Sequence, residues 1–228
     1  MVATTRRDAR TSGTNTRAWP APAALVALAL ISLPGCAGGS GVPAHAARAL
    51  DWRPIATNAD RARLRQWRAT WTAAVHRVEA AGEGDELAAA GALFDPDRAL
   101  AHAAPPAGAY RCRVFKLGGQ GISSLEYVAY PWFECRVSPD GRALARLDKI
   151  TGSQRFAGRL FADGATRAVF LGTLALGDES GTLPYGQDDA RDMAGFVERI
   201  GNARWRLVLP APAFESMLDV VEIVPASA

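Results

Sequence analysis

RFAGRLFADGATRAVFLGTLA, residues 155–175, decides the fold class. Two apolar runs, 155–162 and 167–175, flank Asp163-Gly164. Each is short, aromatic or aliphatic, and bounded by turn residues, which predicts two strands joined by a tight connection. The second run, RAVFLGTLA, is apolar at odd and even positions alike. A strand of that kind is buried on both faces, one against an interior and one beneath a covering element. This favours a filled interior with a helix packed outside, and argues against a large open cavity.

Outward from this pair the same grammar repeats. Strands are expected near 109–116, 126–137, 143–150, 192–200, 203–209 and 218–224. They are separated by Gly118-Gly119, Pro139-Asp140-Gly141, Gly152, Gly177-Asp178, Gly201-Asn202 and Pro210 to Pro212. At the Gly201-Asn202 hairpin, Trp205, Leu207 and Leu209 alternate with Arg204, Arg206 and Val208. That predicts one buried side and one mostly wet side. Eight short, evenly spaced strands suit a mostly antiparallel β-barrel, which leaves no edge exposed; a β-sandwich is the alternative.

Residues 58–81 are the clearest helix, with Asn58 as N-cap and Gly82 just past the C-terminus. Leu64, Trp67, Trp71, Val75 and Val78 fall on one face. The tryptophan stripe suits either a membrane surface or the protein's own sheet, and the sheet is the simpler partner. A second helix is expected at 85–92, and Asp95-Pro96 starts a third. The fold class is therefore α+β: a helical part at 50–108 packed on an eight-stranded barrel at 109–225, both within one domain, 50–228.

The beginning of the chain reads as an address. Four arginines precede the apolar run APAALVALALISL, residues 21–33, which is too short to span a bilayer. Leu33-Pro34-Gly35-Cys36 resembles the lipobox of bacterial lipoproteins, departing from it at Pro34. Residues 1–35 thus read as a signal peptide, Cys36 as the site of lipidation and 36–49 as a flexible tether. The expected location is the bacterial cell envelope, facing the periplasm and held to the membrane by the lipid; an ordinary secretory cleavage would leave a soluble periplasmic protein.

Without residues 1–35 the chain carries 22 basic and 22 acidic residues. Such a balance forecasts no nucleic-acid partner. Lys116 and Lys149 are the only lysines in an arginine-rich chain. The remaining cysteines, Cys112 and Cys135, form an even pair suited to a disulfide in an oxidising compartment. Placed directly opposite each other, they would pair Val114 with Phe133, Phe115 with Trp132 and Arg113 with Glu134. The same register sets Arg111 against Arg136, a like-charge conflict.

The segments DRARLRQWRATW (60–71), YRCRVFKLG (110–118), YPWFECRV (130–137), KITGSQRFAGRLF (149–161), FLGTLALGDE (170–179), YGQDDARDMAGFVERIG (185–201) and WRLVLPAPAFESMLDVVEIVP (205–225) resemble a bacterial family, domain of unknown function 4893. The resemblance covers about residues 50–225. It implies an envelope protein with a signal or lipoprotein leader, and brings no activity, catalytic residue or cofactor.

Nothing in the chain assembles into a known catalytic signature. Asp188, Asp189 and Asp192 lie close in sequence, but a glycosidase needs two carboxylates across a cleft, and a solvated loop is the simpler reading. Asp178-Glu179 offers too few oxygens for calcium. His76 and His102 fall in the helical part, and no GxSxG elbow is present. The three histidines show no metal-ligand spacing, so no cofactor or metal is expected. Lys116, Tyr130 and Trp132 remain as a group that would give a barrel mouth an aromatic, cationic lining. Such a mouth suits a small amphipathic ligand. The plainer reading makes the aromatics wall residues and Lys116 a rim charge. The functional expectation is a non-catalytic binding module, with a protein-interaction subunit or an inhibitor of a periplasmic hydrolase as the alternative.

Overall fold

The expected strands form and close into a ring. In a computed structural model that describes Ala18 and residues 50–121 and 123–227, the strands are β1 (Gly108–Gly119), β2 (Tyr127–Ser138), β3 (Ala145–Lys149) and β4 (Gln154–Ala162). They continue with β5 (Arg167–Leu176), β6 (Asp192–Gly201), β7 (Arg204–Pro210) and β8 (Ser216–Pro225). Each pairs antiparallel with the next, and β8 returns to β1, giving a closed up-and-down barrel. Apart from Ala18, the leader, Cys36 and the tether lie outside the described residues.

Alternation sorts the side chains. Cys112, Cys135, Leu147, Phe156, Phe170, Val197, Leu207 and Val221 point inward and form one core. Glycine makes room for the largest of them. Gly158 and Gly172 face each other across β4 and β5, and a Cβ on either would strike the Phe170 ring at 2.6 or 2.5 Å. Phe170 can therefore lie across the interior, edge-on to Phe156 at 5.8 Å.

The outer face is apolar where a helix covers it. Helix α1 (Asn58–Ala80) crosses β1, β6, β7 and β8. Its Leu64, Trp71, Ala74 and Val78 are buried, and Trp67 and Val75 are partly so. The stripe thus packs on the protein's own sheet. Phe115, Val208, Leu218 and Val220 meet the Trp71–Val78 half of the helix, and Val169, Leu171 and Phe196 meet the Leu64 half. Strand β5 is buried on both faces, as its sequence requires. Among the described residues no helix is long and apolar enough to cross a membrane.

Three expectations are corrected. The N-cap of α1 is Thr57, whose hydroxyl accepts from the Asp60 N–H at 3.1 Å, while Asn58 instead accepts from Arg61. After α2 (Gly84–Ala90) and a single 3₁₀ turn, no third helix starts at Asp95-Pro96. The Asp95 side chain accepts from the Asp97 N–H, and the carbonyls of Ala92, Leu93, Asp95 and Arg98 all turn toward one guanidinium, that of Arg206. Carbonyls committed sideways to a cation cannot run along a helix axis. For the same reason the outer side of β7 is not wet. Arg206 is 0% exposed and paired to an equally buried Glu198, which also accepts from Arg167.

The first hairpin is shifted by two residues from the directly opposed register. Cys112 faces Phe133 and Tyr110 faces Cys135, so the Cys112–Cys135 disulfide joins diagonal neighbours with Cα atoms 5.8 Å apart. The shift sets Arg111 opposite Glu134 and moves Arg136 to Ala109. It removes the like-charge conflict that the opposed register created.

Candidate functional site: an open end of the barrel

The two ends of the barrel differ in their connections. Residues 139–144, 163–166 and 202–203 link strands at one end. There Tyr110 stands edge-on to Trp205 at 6.0 Å, and Val137, Leu147, Leu160, Ala168 and Ile223 fill the interior. At the other end the links are residues 120–126, 150–153, 177–191 and 211–215. They surround a cavity of about 220 Å³. Its walls include Val114, Phe133, Phe156, Leu174, Leu209 and Val221, with Lys116, Lys149, Gln154, Glu215 and Asp219 as polar members.

Lys116 projects inward from β1 because it shares the parity of Cys112 and Val114. It is 7% exposed. Its Nζ lies 3.2 Å from Asp219 Oδ2, its cross-strand partner on β8, and 3.3 Å from Glu215 Oε2. The other Asp219 oxygen accepts from the Ser216 hydroxyl. Burial works against the Lys116 ammonium, but Asp219 and Glu215 outweigh it and hold its pKa above the ordinary lysine value.

Lys149, the last residue of β3, follows Ala145 and Leu147 on the inward face. It is 6% exposed. Its Nζ donates to the Gln154 carbonyl at 2.6 Å and sits 3.7 Å above the Phe133 ring. Among the described residues no carboxylate lies within ion-pair distance of it. Its pKa is lowered to about 8, first by burial and then by the positive charges of Arg155 and Lys116. Gly152, at φ +92°, shapes the space beside it, since a Cβ there would approach Lys149 Nζ at 2.7 Å and the Phe133 ring at 2.8 Å. The Gln154 side chain donates to Glu215 at 3.3 Å and so links the surroundings of the two lysines.

Of the residues singled out from the sequence, Lys116, Tyr130 and Asp192 line this cavity and Trp132 does not. Trp132 points outward, 39% exposed, with the Arg111 guanidinium 5.1 Å above its ring. The cause is a bulge. Arg113 pairs with Trp132 and Phe115 with Ala129, so Val114 alone faces Tyr130 and Pro131. The extra residue breaks the alternation, leaving Tyr130 and Phe133 on the cavity side and Trp132 on the other. Pro131, which has no N–H to give to a ladder, sits in this bulge. Lys149 was not singled out. Its signal was present: it is one of two lysines, and it continues an inward alternation.

The acidic candidates serve the loops. Asp188 is half-buried and Asp189 exposed, whereas Asp192 is buried, accepts from the Gly186 N–H and lines the cavity. Glu179 forks onto Arg191 and also accepts from the Leu176 N–H, which lowers its pKa to about 2. His76 and His102 are exposed, and neither lines the cavity. Among the described residues no three His, Cys, Asp or Glu side chains cluster as metal ligands.

A family model described as "Domain of unknown function (DUF4893)" matches residues 52–223. No curated protein and no solved structure matches the chain.

Proposed function

Taking as premise that the chain belongs to the DUF4893 family, we propose that it is a non-catalytic binding module whose barrel receives a small amphipathic ligand through its open end. The observation that carries this reading is the division of the barrel interior. One end is packed with side chains, and the other holds a cavity of about 220 Å³ with an apolar floor, two lysines and three acids, of which Glu215 and Asp219 are taken up by Lys116. A concave, mostly apolar space with a few convergent polar groups is the usual form of a small-molecule site. Its size lies somewhat above the ~150 Å³ that accepts benzene, so it suits a short chain or a single ring. The apolar body would lie along Val114, Phe156, Leu174 and Val221. A negative or strongly polar head would meet Lys149, which has no acid of its own.

The test is titration with octanoate, followed by methyl NMR. Saturable shifts at Val114, Leu174 and Val221 are expected, and they should disappear in Val114→Trp, which fills the cavity. Unsaturable shifts, or shifts confined to the outer surface, would overturn the reading.

We further propose that this module works in the bacterial envelope, tethered by a lipid on Cys36. The leader and its Leu33–Cys36 tetrad support that placement, as does the disulfide, a bond suited to an oxidising compartment. Metabolic labelling with palmitate should mark the natural chain and not Cys36→Ser; equal labelling of the two would remove the anchor.

A further inference from the structure

We propose that Lys149 is a carbonyl-capturing amine, which condenses with a small aldehyde entering the open end of the barrel. The proposal rests on the reading of that end as a ligand cavity, and it adds a covalent step.

The geometry distinguishes the chain's two lysines. They line one cavity at nearly equal burial, yet Lys116 is clasped by Asp219 and Glu215, whereas Lys149 has a single carbonyl acceptor and an aromatic face. An ammonium has three N–H donors to satisfy, and the surroundings of Lys149 supply one hydrogen-bond acceptor. A neutral amine fits this setting better. It donates one N–H to the Gln154 carbonyl and keeps a lone pair for a partner in the cavity. Burial and two neighbouring cations favour that neutral form, the usual way in which an amine is made nucleophilic near neutral pH. Gly152 reinforces the point, since any side chain there would occupy the space against Nζ.

The chemistry balances without a further reagent. The Nζ lone pair forms a bond to the carbonyl carbon, and the carbonyl π pair moves to oxygen, which takes up a proton. Nitrogen gives up a proton, and the hydroxyl leaves as water when protonated. The net change is amine plus aldehyde to imine plus water. Lys116, kept as an ammonium by its two acids, lines the same cavity and supplies an acid for the hydroxyl's departure.

The test uses the intact chain with benzaldehyde and sodium cyanoborohydride at pH 8, followed by peptide mapping. Reduction turns any imine into a stable benzyl amine. Lys149 should be labelled at least about tenfold faster than Lys116, as expected for the more neutral amine. Lys149→Arg should lose that label. Lys116 serves as the control within the same folded molecule, so the comparison stands even if the variant folds poorly. Equal labelling of the two lysines, or no label on Lys149, overturns the proposal. If octanoate still binds in that case, only the covalent step falls. If octanoate fails to bind while Lys149 is labelled, the amphipathic-ligand reading falls and the reactive amine stands.

Discussion

Arg206 and Lys149 are both buried basic side chains, one on the outer face of the barrel and one on its inner face. Arg206 lies on the outer face of β7, beneath the segment that follows α2. Its Nε and Nη2 donate to Glu198, and its remaining N–H groups reach the carbonyls of Ala92, Leu93, Asp95 and Arg98. Lys149 lies inside and, among the described residues, has one carbonyl acceptor and no acid. A saturated buried cation does structural work, because it ties the 3₁₀ turn after α2 and the loop beyond it to the sheet. A buried cation left short of partners serves no such purpose, and a protein that keeps one retains it against its own stability. The contrast separates the part of the molecule that holds the fold from the part available to a ligand.

Arg206→Ala tests the contrast most strongly. It leaves four carbonyls and one side of Glu198 without their donor, and should cost about 3–5 kcal/mol in urea unfolding. A loss under about 1 kcal/mol would make Arg206 as dispensable as its counterpart and break the comparison.

Lys149→Met should act in the opposite direction. The folded-state pKa of Lys149 is about 8, against 10.5 for an ordinary lysine, so between those values the unfolded chain holds more of the proton. Stability of the natural chain should therefore rise as pH goes from about 8 to about 10.5, and the full penalty applies below that window. The variant removes this term but orphans the Gln154 carbonyl. It should gain about 1–2 kcal/mol at pH 7, and the gain should shrink above about pH 8 and turn into a loss of similar size by about pH 10.5, where only the orphaned carbonyl counts. Subtracting the two pH profiles isolates the contribution of Lys149 and its coupling to Lys116. A pH-independent difference would show that Lys149 is not held against its charge.

Trp132→Ala gives the smallest effect. With its ring outside the barrel and half in water, it should change stability by less than about 0.5 kcal/mol and leave the octanoate shifts as they were. Loss of those shifts would place the site on the outer face instead.

The eight strands were legible because each carries its own period and its own turn residues, as in 155–175. Helix α1 was legible for the same reason. What escaped the sequence depended on contacts between distant segments. The wet face expected for β7 came from reading Arg206 beside Arg204 and Val208, since local alternation cannot reveal that carbonyls 92–98 will close over it. The third helix failed on the same contact, from the other side. The register of β1 against β2 was misplaced because the cysteines were set directly opposite, when a disulfide also spans the diagonal. Trp132 was assigned to the cavity because alternation carries no mark of the bulge at Tyr130-Pro131, although a proline within a strand is the hint. Lys116 faces the interior because β1 keeps period two from Cys112, whereas Tyr130 faces it only through the bulge.

The pairing of β8 with β1 has a consequence for synthesis. The edge of β1 that faces away from β2, residues 110–119, is covered by residues 216–225, the last strand of the barrel to be made. Until then the growing sheet has two sticky rims and no means of sealing them, the circumstance in which chains capture one another. A chain that stops short of residue 216 would therefore be an unsealed ribbon prone to aggregate, so the strand that closes the ring decides whether all the rest is usable.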